Sequence, residues 1–463
     1  MADILLTHSN HLFSDPKQVR KMQPYPPLQT LIAAECLREQ GWSVELFDST
    51  LDSPADNFQA ALDKAEPRLV AIVEDNFNFL TKMCLSQNRE CAIGMIHESR
   101  ERGLPVLVNG SDATDHPEAY LDAGATAILK GELESSLIDA SSRLLNPETT
   151  PSDLTKIQGL VLQNGAGPTT TSLRARIEDL DQLPFAAWDL VDIDRYRTAW
   201  RDAHGRFSLN LVSSRGCPYR CNWCAKPIYG DKYEARSAHK VAAEMALLKQ
   251  TYRAEHIWFA DDIFALSAQW TREFADEVER LDARIPFKMQ SRCGLMTREV
   301  VADLARAGCE EVWMGAESGS QKVLDAMDKD LQVSEISQAR ANLAKHGIRA
   351  CYFLQFGYPG EVWEDIEMTV GMVRETRPDD VGVSVSYPLP GTLFHERVAA
   401  DLGPKTNWSH SDDLTMMFQG AYPTEFYRSL RDAMHSEVEM LNGRSTSEGL
   451  AQQWARIEEL AHR

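Results

Sequence analysis

Short apolar runs recur along this chain and alternate with stretches of helical pattern. Leu69-Val70-Ala71-Ile72-Val73 is apolar at every position, as a strand covered on both faces must be. In the first 145 residues, strands are predicted at 4–6, 44–47, 69–73, 106–108 and 127–129. Helices are predicted at 28–37, 55–65, 91–102 and 132–145. Gly41 stops the first of these helices. This spacing indicates a doubly wound parallel sheet, an α/β unit that binds ligands at the carboxyl ends of its strands. The loops in question are 8–27, 74–82, 109–115 and 130–134. Asn109-Gly110-Ser111-Asp112 offers a small turn with an accessible backbone.

The pattern pauses over 146–200. Asn146-Pro147-Glu148-Thr149-Thr150-Pro151-Ser152 is a linker by composition. A hairpin strand at 159–163 runs into an Asn164-Gly165 turn, and the rest reads as an interdomain strap. Over 201–400 the alternation returns. Phe207-Ser208-Leu209-Asn210-Leu211-Val212 is followed by strands at 257–260, 287–291, 311–314, 350–355 and 381–385, each preceded by a helix. Ser237 caps a helix at 238–252, and Gly308 and Gly347 end helices at 297–307 and 334–346. Six βα units predict a partial TIM barrel with its active groups at the strand ends. Beyond 401, helices at 423–440 and 447–462 form a small helical segment. Trp408, Asp413, Met416, Met417 and Tyr427 read there as packing.

The loop after the first barrel strand carries Cys217-Pro218-Tyr219-Arg220-Cys221-Asn222-Trp223-Cys224, a C-x3-C-x2-C spacing. Three thiolates on one tight loop can hold three corners of a soft metal centre and leave a fourth open. Structural zinc wants four ligands, and no second C-x2-C is present. Disulfides suit neither the odd number nor a chain with no secretory pattern at its start. The barrel rule nominates further groups: Asp261-Asp262, Arg292, Gly315-Ala316-Glu317-Ser318-Gly319-Ser320, Gly357-Tyr358-Pro359-Gly360-Glu361 and Tyr387-Pro388-Leu389-Pro390-Gly391-Thr392.

Bulk composition excludes some partners. The 463 residues carry 48 Lys and Arg against 69 Asp and Glu, a net charge of −21 that disfavours gripping a phosphate backbone, so no nucleic-acid partner is expected. No apolar run approaches the roughly 20 residues of a membrane span. The nine cysteines, three of them clustered, suit a reducing cytoplasm.

The cysteine loop, with Trp223 before its last cysteine, resembles the signature of the radical S-adenosylmethionine (SAM) superfamily. That resemblance implies a 4Fe–4S cluster on Cys217, Cys221 and Cys224, with SAM on the open iron. Asp261-Asp262-x-Phe264, Glu317-Ser318-Gly319, Gly357-x-Pro359-Gly360-Glu361 and Pro388-x-Pro390-Gly391-Thr392 resemble its cobalamin-associated branch. So do Pro26-Pro27-Leu28, the run from Gly41 to Asp48, Asn109-Gly110-Ser111-Asp112-Ala113-Thr114 and Gly131-Glu132. Members often carry Gly-Gly and a His where this chain has Asn109-Gly110 and Asp112.

The resemblance implies a Rossmann-like cobalamin-binding domain at 1–145, a connector at 146–200, a radical SAM core at 201–400 and a helical tail. It implies cofactor contacts at Asp261, Arg292, Glu317, Ser318 and Gly357, and at Asn109, Gly110, Ser111 and Gly131. No histidine from a D-x-H-x-x-G motif is available to the cobalt, and His8, His11, His97 and His116 are expected to be ordinary surface or loop residues. The implied activity is C-methylation of a small molecule by way of a 5′-deoxyadenosyl radical, with an external flavodoxin- or ferredoxin-type electron donor. Cyclisation, rearrangement or carbon–carbon or carbon–sulfur bond formation is the alternative chemistry, and an iron–sulfur or cobalamin sensor the non-enzymatic one.

Overall fold

The computed structural model describes residues 1–148 and 151–462. Thr149 and Thr150 of the expected linker lie outside the described residues. The chain forms two compact units. One comprises Met1–Gly216, Lys226–Arg236 and Asn407–Asp412. The other comprises Cys217–Ala225, Ser237–Thr406 and Asp413–Arg463.

The first unit is built on strands β1 (Ile4–Thr7), β2 (Val44–Phe47), β3 (Leu69–Val73), β4 (Val106–Asn109), β5 (Ala127–Leu129), β6 (Leu160–Asn164) and β7 (Gly167–Thr170). Their order is β2-β1-β3-β4-β5-β6-β7. The first five pair in parallel, and the β6–β7 hairpin extends the edge antiparallel. The two-residue turn of that hairpin is Gly165-Ala166, with Asn164 opposite Gly167, one position beyond the expected turn.

Alternation along each strand splits the apolar side chains between two cores. Ile4, Leu6, Leu69, Ala71 and Val73 pack on one face with Ala33 and Leu37 of helix Leu28–Arg38. Leu5, Val70 and Ile72 pack on the other with Phe58, Leu62, Met95 and Ile96. Helices therefore cover both faces, as the apolar run at 69–73 requires.

The strand-end loops are more ordered than their composition suggests. Pro16–Lys21 is helical because Asp15 accepts from the Lys17 and Gln18 N–H groups and proline occupies the first turn. Phe79–Lys82 is capped by Asn78, and Ser111–Asp115 starts at Gly110. The expected helix at 91–102 begins five residues earlier, as Ser86–Glu101.

The first unit also holds β8 (Ser208–Leu211), buried along its length, and an antiparallel pair β9 (Ser214–Arg215) and β10 (Glu234–Ala235). Gly216 follows β9 with φ +75, and a Cβ there would stand 2.0 Å from the Lys232 carbonyl oxygen. Only glycine fits where the chain enters the cysteine loop.

The second unit holds the remaining expected core strands: β11 (His256–Phe259), β12 (Phe287–Ser291), β13 (Cys309–Glu317), β14 (Arg349–Phe356) and β15 (Asp380–Val385). Neighbours pair in parallel, in sequence order. Phe259, Phe264, Trp270, Phe274 and Phe287 form an aromatic cluster beneath the first of them, so Phe264 of the acidic motif is a core anchor. Helices Thr424–Leu441 and Leu450–Ala461 close the tail. The buried Glu437 joins them, accepting from Arg374 at 2.8 and 2.9 Å and from Trp454 Nε1 at 2.9 Å. Met417 and Tyr427 are 2% exposed, as packing residues would be.

Candidate functional site

In the second unit the cysteine loop is fastened through Asn222. Its backbone N–H donates to Met327 O at 3.1 Å, and its carbonyl accepts from Phe394 N at 3.0 Å. Its Nδ2 donates to Ala326 O and Asp328 Oδ2 at 2.8 and 2.7 Å, and its Oδ1 accepts from the Tyr358 hydroxyl at 2.8 Å. Trp223 packs against Val323, Met327, Tyr358 and Phe394. The loop is thereby anchored between Cys221 and Cys224, while Cys217, Cys221 and Cys224 stay half-buried and form no disulfide.

Among the described residues, no three His, Cys, Asp or Glu side chains converge on a point where a single metal ion would sit. A four-iron cluster does not ask for that, because each thiolate binds its own iron and the three surround a cube. The electrostatics match such a group. Arg292, at the end of β12, points Nη1 at Cys221 Sγ at 3.6 Å. Its guanidinium lies 3.7 Å over the Tyr219 ring, and its Nη2 donates to the carbonyls of Lys329 and Asp330. Arg292 thus places a cation beside Cys221, and the Lys329 ammonium lies 5.8 Å from the Trp223 ring centre.

Glu317 ends β13 with φ +58, beside a register shift between Gly315 and Glu317 in the pairing with β14. The bulge and the left-handed backbone re-aim this side chain. It is 4% exposed, and its Oε1 accepts from Lys329 Nζ at 2.6 Å. Ser318 is fully buried, with its hydroxyl 3.1 Å from Thr369 Oγ1. Gly319 donates to Thr369 Oγ1 at 2.9 Å, and a Cβ on it would lie 2.4 Å from Met368 O. The Glu317-Ser318-Gly319 stretch is therefore clamped on helix Trp363–Thr376, and the Ser318 hydroxyl is engaged there.

Gly357 has φ +76 and donates its N–H to Glu361 Oε2 at 2.6 Å. Burial pushes the Glu361 carboxyl up to about 8, and its Oε1 is buried without a partner among the described residues. Asp261 is fully buried after β11, and Asp262 is exposed.

In the first unit, Asn109 is fully buried at the end of β4. Its Nδ2 donates to the carbonyls of Leu129 and Gly131 at 2.8 and 3.2 Å, and its Oδ1 accepts from Asn76 at 2.8 Å. It is a strut between strand ends. A Cβ on Gly110 would meet Glu74 Cγ at 2.7 Å, Ser111 is buried at the start of the short helix, and Gly131 has φ +76. Asp112 is held by Arg89 at 2.6 and 2.5 Å and by the Tyr120 hydroxyl at 2.7 Å.

Glu74 accepts from Ser9 N at 3.1 Å, but among the described residues its Oε2 is buried without a partner, and so is Asn76 Oδ1. Burial raises the carboxyls of Glu74 and of Asp75, the latter to about 6. His8 is not a surface residue. It is 1% exposed, 3.1 Å from Asp48 Oδ1, because the chain turns inward after β1 to meet the end of β2.

Sequence reasoning passed over Lys329 and Asn222, and reached Glu74 only as the first residue of the loop 74–82. Lys329 lies between two aspartates and reads as part of a solvated charge run. Asn222 is hidden as a spacer between cysteines. Glu74 follows an apolar strand with no pattern of its own.

Residues 211–373 match the family model described as the Radical SAM superfamily. The chain carries a radical SAM domain. Over 391 residues it is 24% identical to an uncharacterised methyltransferase of Pyrococcus horikoshii, covering 83% of this chain and 81% of that one. Several further curated relatives are matched over only about half their length.

Among solved structures, the chain resembles the radical S-adenosylmethionine methyltransferase TsrM from Kitasatospora setae with cobalamin and a 4Fe–4S cluster bound. The TM-score is 0.69 at 19% identity, over 86% of this chain and 78% of that one. It also resembles the cobalamin-dependent S-adenosylmethionine radical enzyme OxsB with aqua-cobalamin and S-adenosylmethionine bound. There the TM-score is 0.66 at 16% identity, over all of this chain and 61% of the other. These likenesses bear out an α/β fold with parallel sheets of the kind expected. No helix among the described residues is long and apolar enough to cross a membrane.

Proposed function

We propose that the chain is a cobalamin-dependent radical SAM methyltransferase that places a methyl group on an unactivated carbon of a small molecule. The observation that carries this is the anchored cysteine loop: three half-buried thiols outside any disulfide, with Arg292 directed at Cys221. Cys217, Cys221 and Cys224 would hold the 4Fe–4S cluster. Glu317, Asp261, Arg292 and the backbone at Gly357 are the strand-end groups suited to SAM. Ser318 serves by clamping the loop that presents Glu317.

In the first unit, the unpartnered acceptors Glu74 Oε2 and Asn76 Oδ1 suit a ligand rich in amide N–H groups, such as cobalamin. Gly110, Ser111 and Gly131 offer close backbone approach, and Asn109 keeps their loops in register. When bound, the cluster and SAM supply a 5′-deoxyadenosyl radical, and cobalamin carries the methyl group. The protein's own part is to orient these groups and exclude water. An external one-electron donor of flavodoxin or ferredoxin type and a cytoplasmic setting complete the reading.

The test is anaerobic reconstitution with iron, sulfide and hydroxocobalamin, followed by reduction with titanium(III) citrate in the presence of methyl-labelled SAM. The proposal expects cluster and cobalamin absorbance, label in the cobalamin fraction and formation of 5′-deoxyadenosine. A protein with cluster but no cobalamin uptake would overturn the methyl-transfer part, and one that never forms deoxyadenosine would overturn the radical part.

A further inference from the structure

Lys329 is 6% exposed, and a buried ammonium persists only with a counter-charge. Its Nζ meets Glu317 Oε1 at 2.6 Å, and Gly315 leaves the space, since a Cβ there would stand 2.6 Å from both atoms. The chain adopts unusual backbone to make this pair. Glu317 on one side and Asp328 and Asp330 on the other all have positive φ. Non-glycine residues hold that conformation only where the surroundings over-determine it.

The surroundings here lead to the cysteine loop. Asn222 Nδ2 holds Asp328 Oδ2 at 2.7 Å. Arg292 spans from Cys221 Sγ, at 3.6 Å, to the Lys329 and Asp330 carbonyls. The Lys329 Nζ itself lies 5.8 Å from the ring centre of Trp223, between Cys221 and Cys224 in sequence. Burial disfavours its charge, but the Glu317 carboxylate beside it outweighs that and holds its pKa up.

Resting on the cluster reading above, we propose that Lys329 is a positioning residue for electron entry: its buried charge, paired with Glu317 and flanked by Arg292, sets the potential at which a cluster on Cys217, Cys221 and Cys224 is reduced. In that step an external donor loses one electron and the cluster core passes from 2+ to 1+. No cysteine–iron bond breaks and no proton moves. The added negative charge appears beside a cation that water does not screen, so the cation favours the reduced form.

The experiment is an EPR-monitored redox titration of the full-length chain, reconstituted anaerobically with iron and sulfide and reduced with dithionite through mediator dyes. The chains compared are the native protein, Lys329→Arg, Lys329→Met, Glu317→Gln and the Met/Gln double variant. Lys329→Met is expected to shift the reduction equilibrium at least tenfold toward the oxidised form, a potential about 59 mV more negative for one electron. Lys329→Arg should match the native chain, Glu317→Gln should shift the opposite way, and the double variant should return toward the native value.

Full cluster content with an unchanged potential in Lys329→Met would overturn the proposal, as would Lys329→Arg shifting as far as Lys329→Met. If Lys329→Met does not fold or load, an unchanged potential in Glu317→Gln overturns it. A native chain that takes up no cluster overturns the underlying reading instead.

Discussion

The Tyr358 hydroxyl donates to Asn222 Oδ1 at 2.8 Å. That bond ties the glycine-rich loop after β14 to the loop that carries the three cysteines. Asn222 also holds Ala326 and Asp328, so one small side chain fixes the cysteine loop against two strand-end segments. Asn222→Ala should cost about 1–3 kcal/mol, because it strips partners from polar groups that stay buried. Denaturant midpoints measure this, and iron per chain after reconstitution should fall in parallel. A variant matching the native chain in both would show that the loop is held by other means.

Two glycines test the clamp from opposite sides. On Gly319 a Cβ would lie within 2.4–2.8 Å of the backbone at Met368 and Thr369, atoms that cannot step aside. Gly319→Ala should destabilise by about 1–3 kcal/mol through overpacking. Gly371, on the same helix, meets nothing within 4 Å. There alanine should stabilise by about 1 kcal/mol through helix propensity. Thermal unfolding of the two variants should move in opposite directions.

Glu361 should leave a mark on the pH dependence of stability. Desolvation raises its folded pKa from the ordinary 4.5 to about 8. Between those values the folded chain holds a proton that the unfolded chain releases. This group's contribution is therefore complete below pH 4.5, declines as pH rises, and is lost above 8. The decline can reach about 1.4 kcal/mol per pH unit. Glu361→Gln keeps an acceptor for the Gly357 N–H and removes the titration. Its stability relative to the native chain should rise between pH 5 and pH 8 in denaturant titrations, and a constant difference would contradict the assignment.

The strands were the most legible part of the sequence. Leu69–Val73 is buried at every position, and a run apolar at every position leaves few other fates. The short helices were not legible. Ser111–Asp115 is too brief to show a period and is made of residues common in turns, so a turn was the natural reading. At the site, a motif exposes residue type but not what each group touches. Ser318 is spent on Thr369 and Asn109 on neighbouring strand ends, so side chains that look available as ligands work as struts. Lys329 shows the reverse: between Asp328 and Asp330 it looks solvated, yet the fold buries it against Glu317, twelve residues earlier.

The central claim is that Cys217, Cys221 and Cys224 together hold an iron–sulfur cluster. Its most direct test is iron and sulfide content, with the EPR signal of the reduced protein, after anaerobic reconstitution of the native chain and of each single Cys→Ala variant. Cys309→Ala is the control, since that thiol is buried and burial raises its pKa strongly, which leaves it inert. The account predicts matched iron and sulfide and a cluster signal in the native chain and the control, and loss of both in each of the three loop variants. Retention of the full cluster signal when Cys221 is replaced would contradict it.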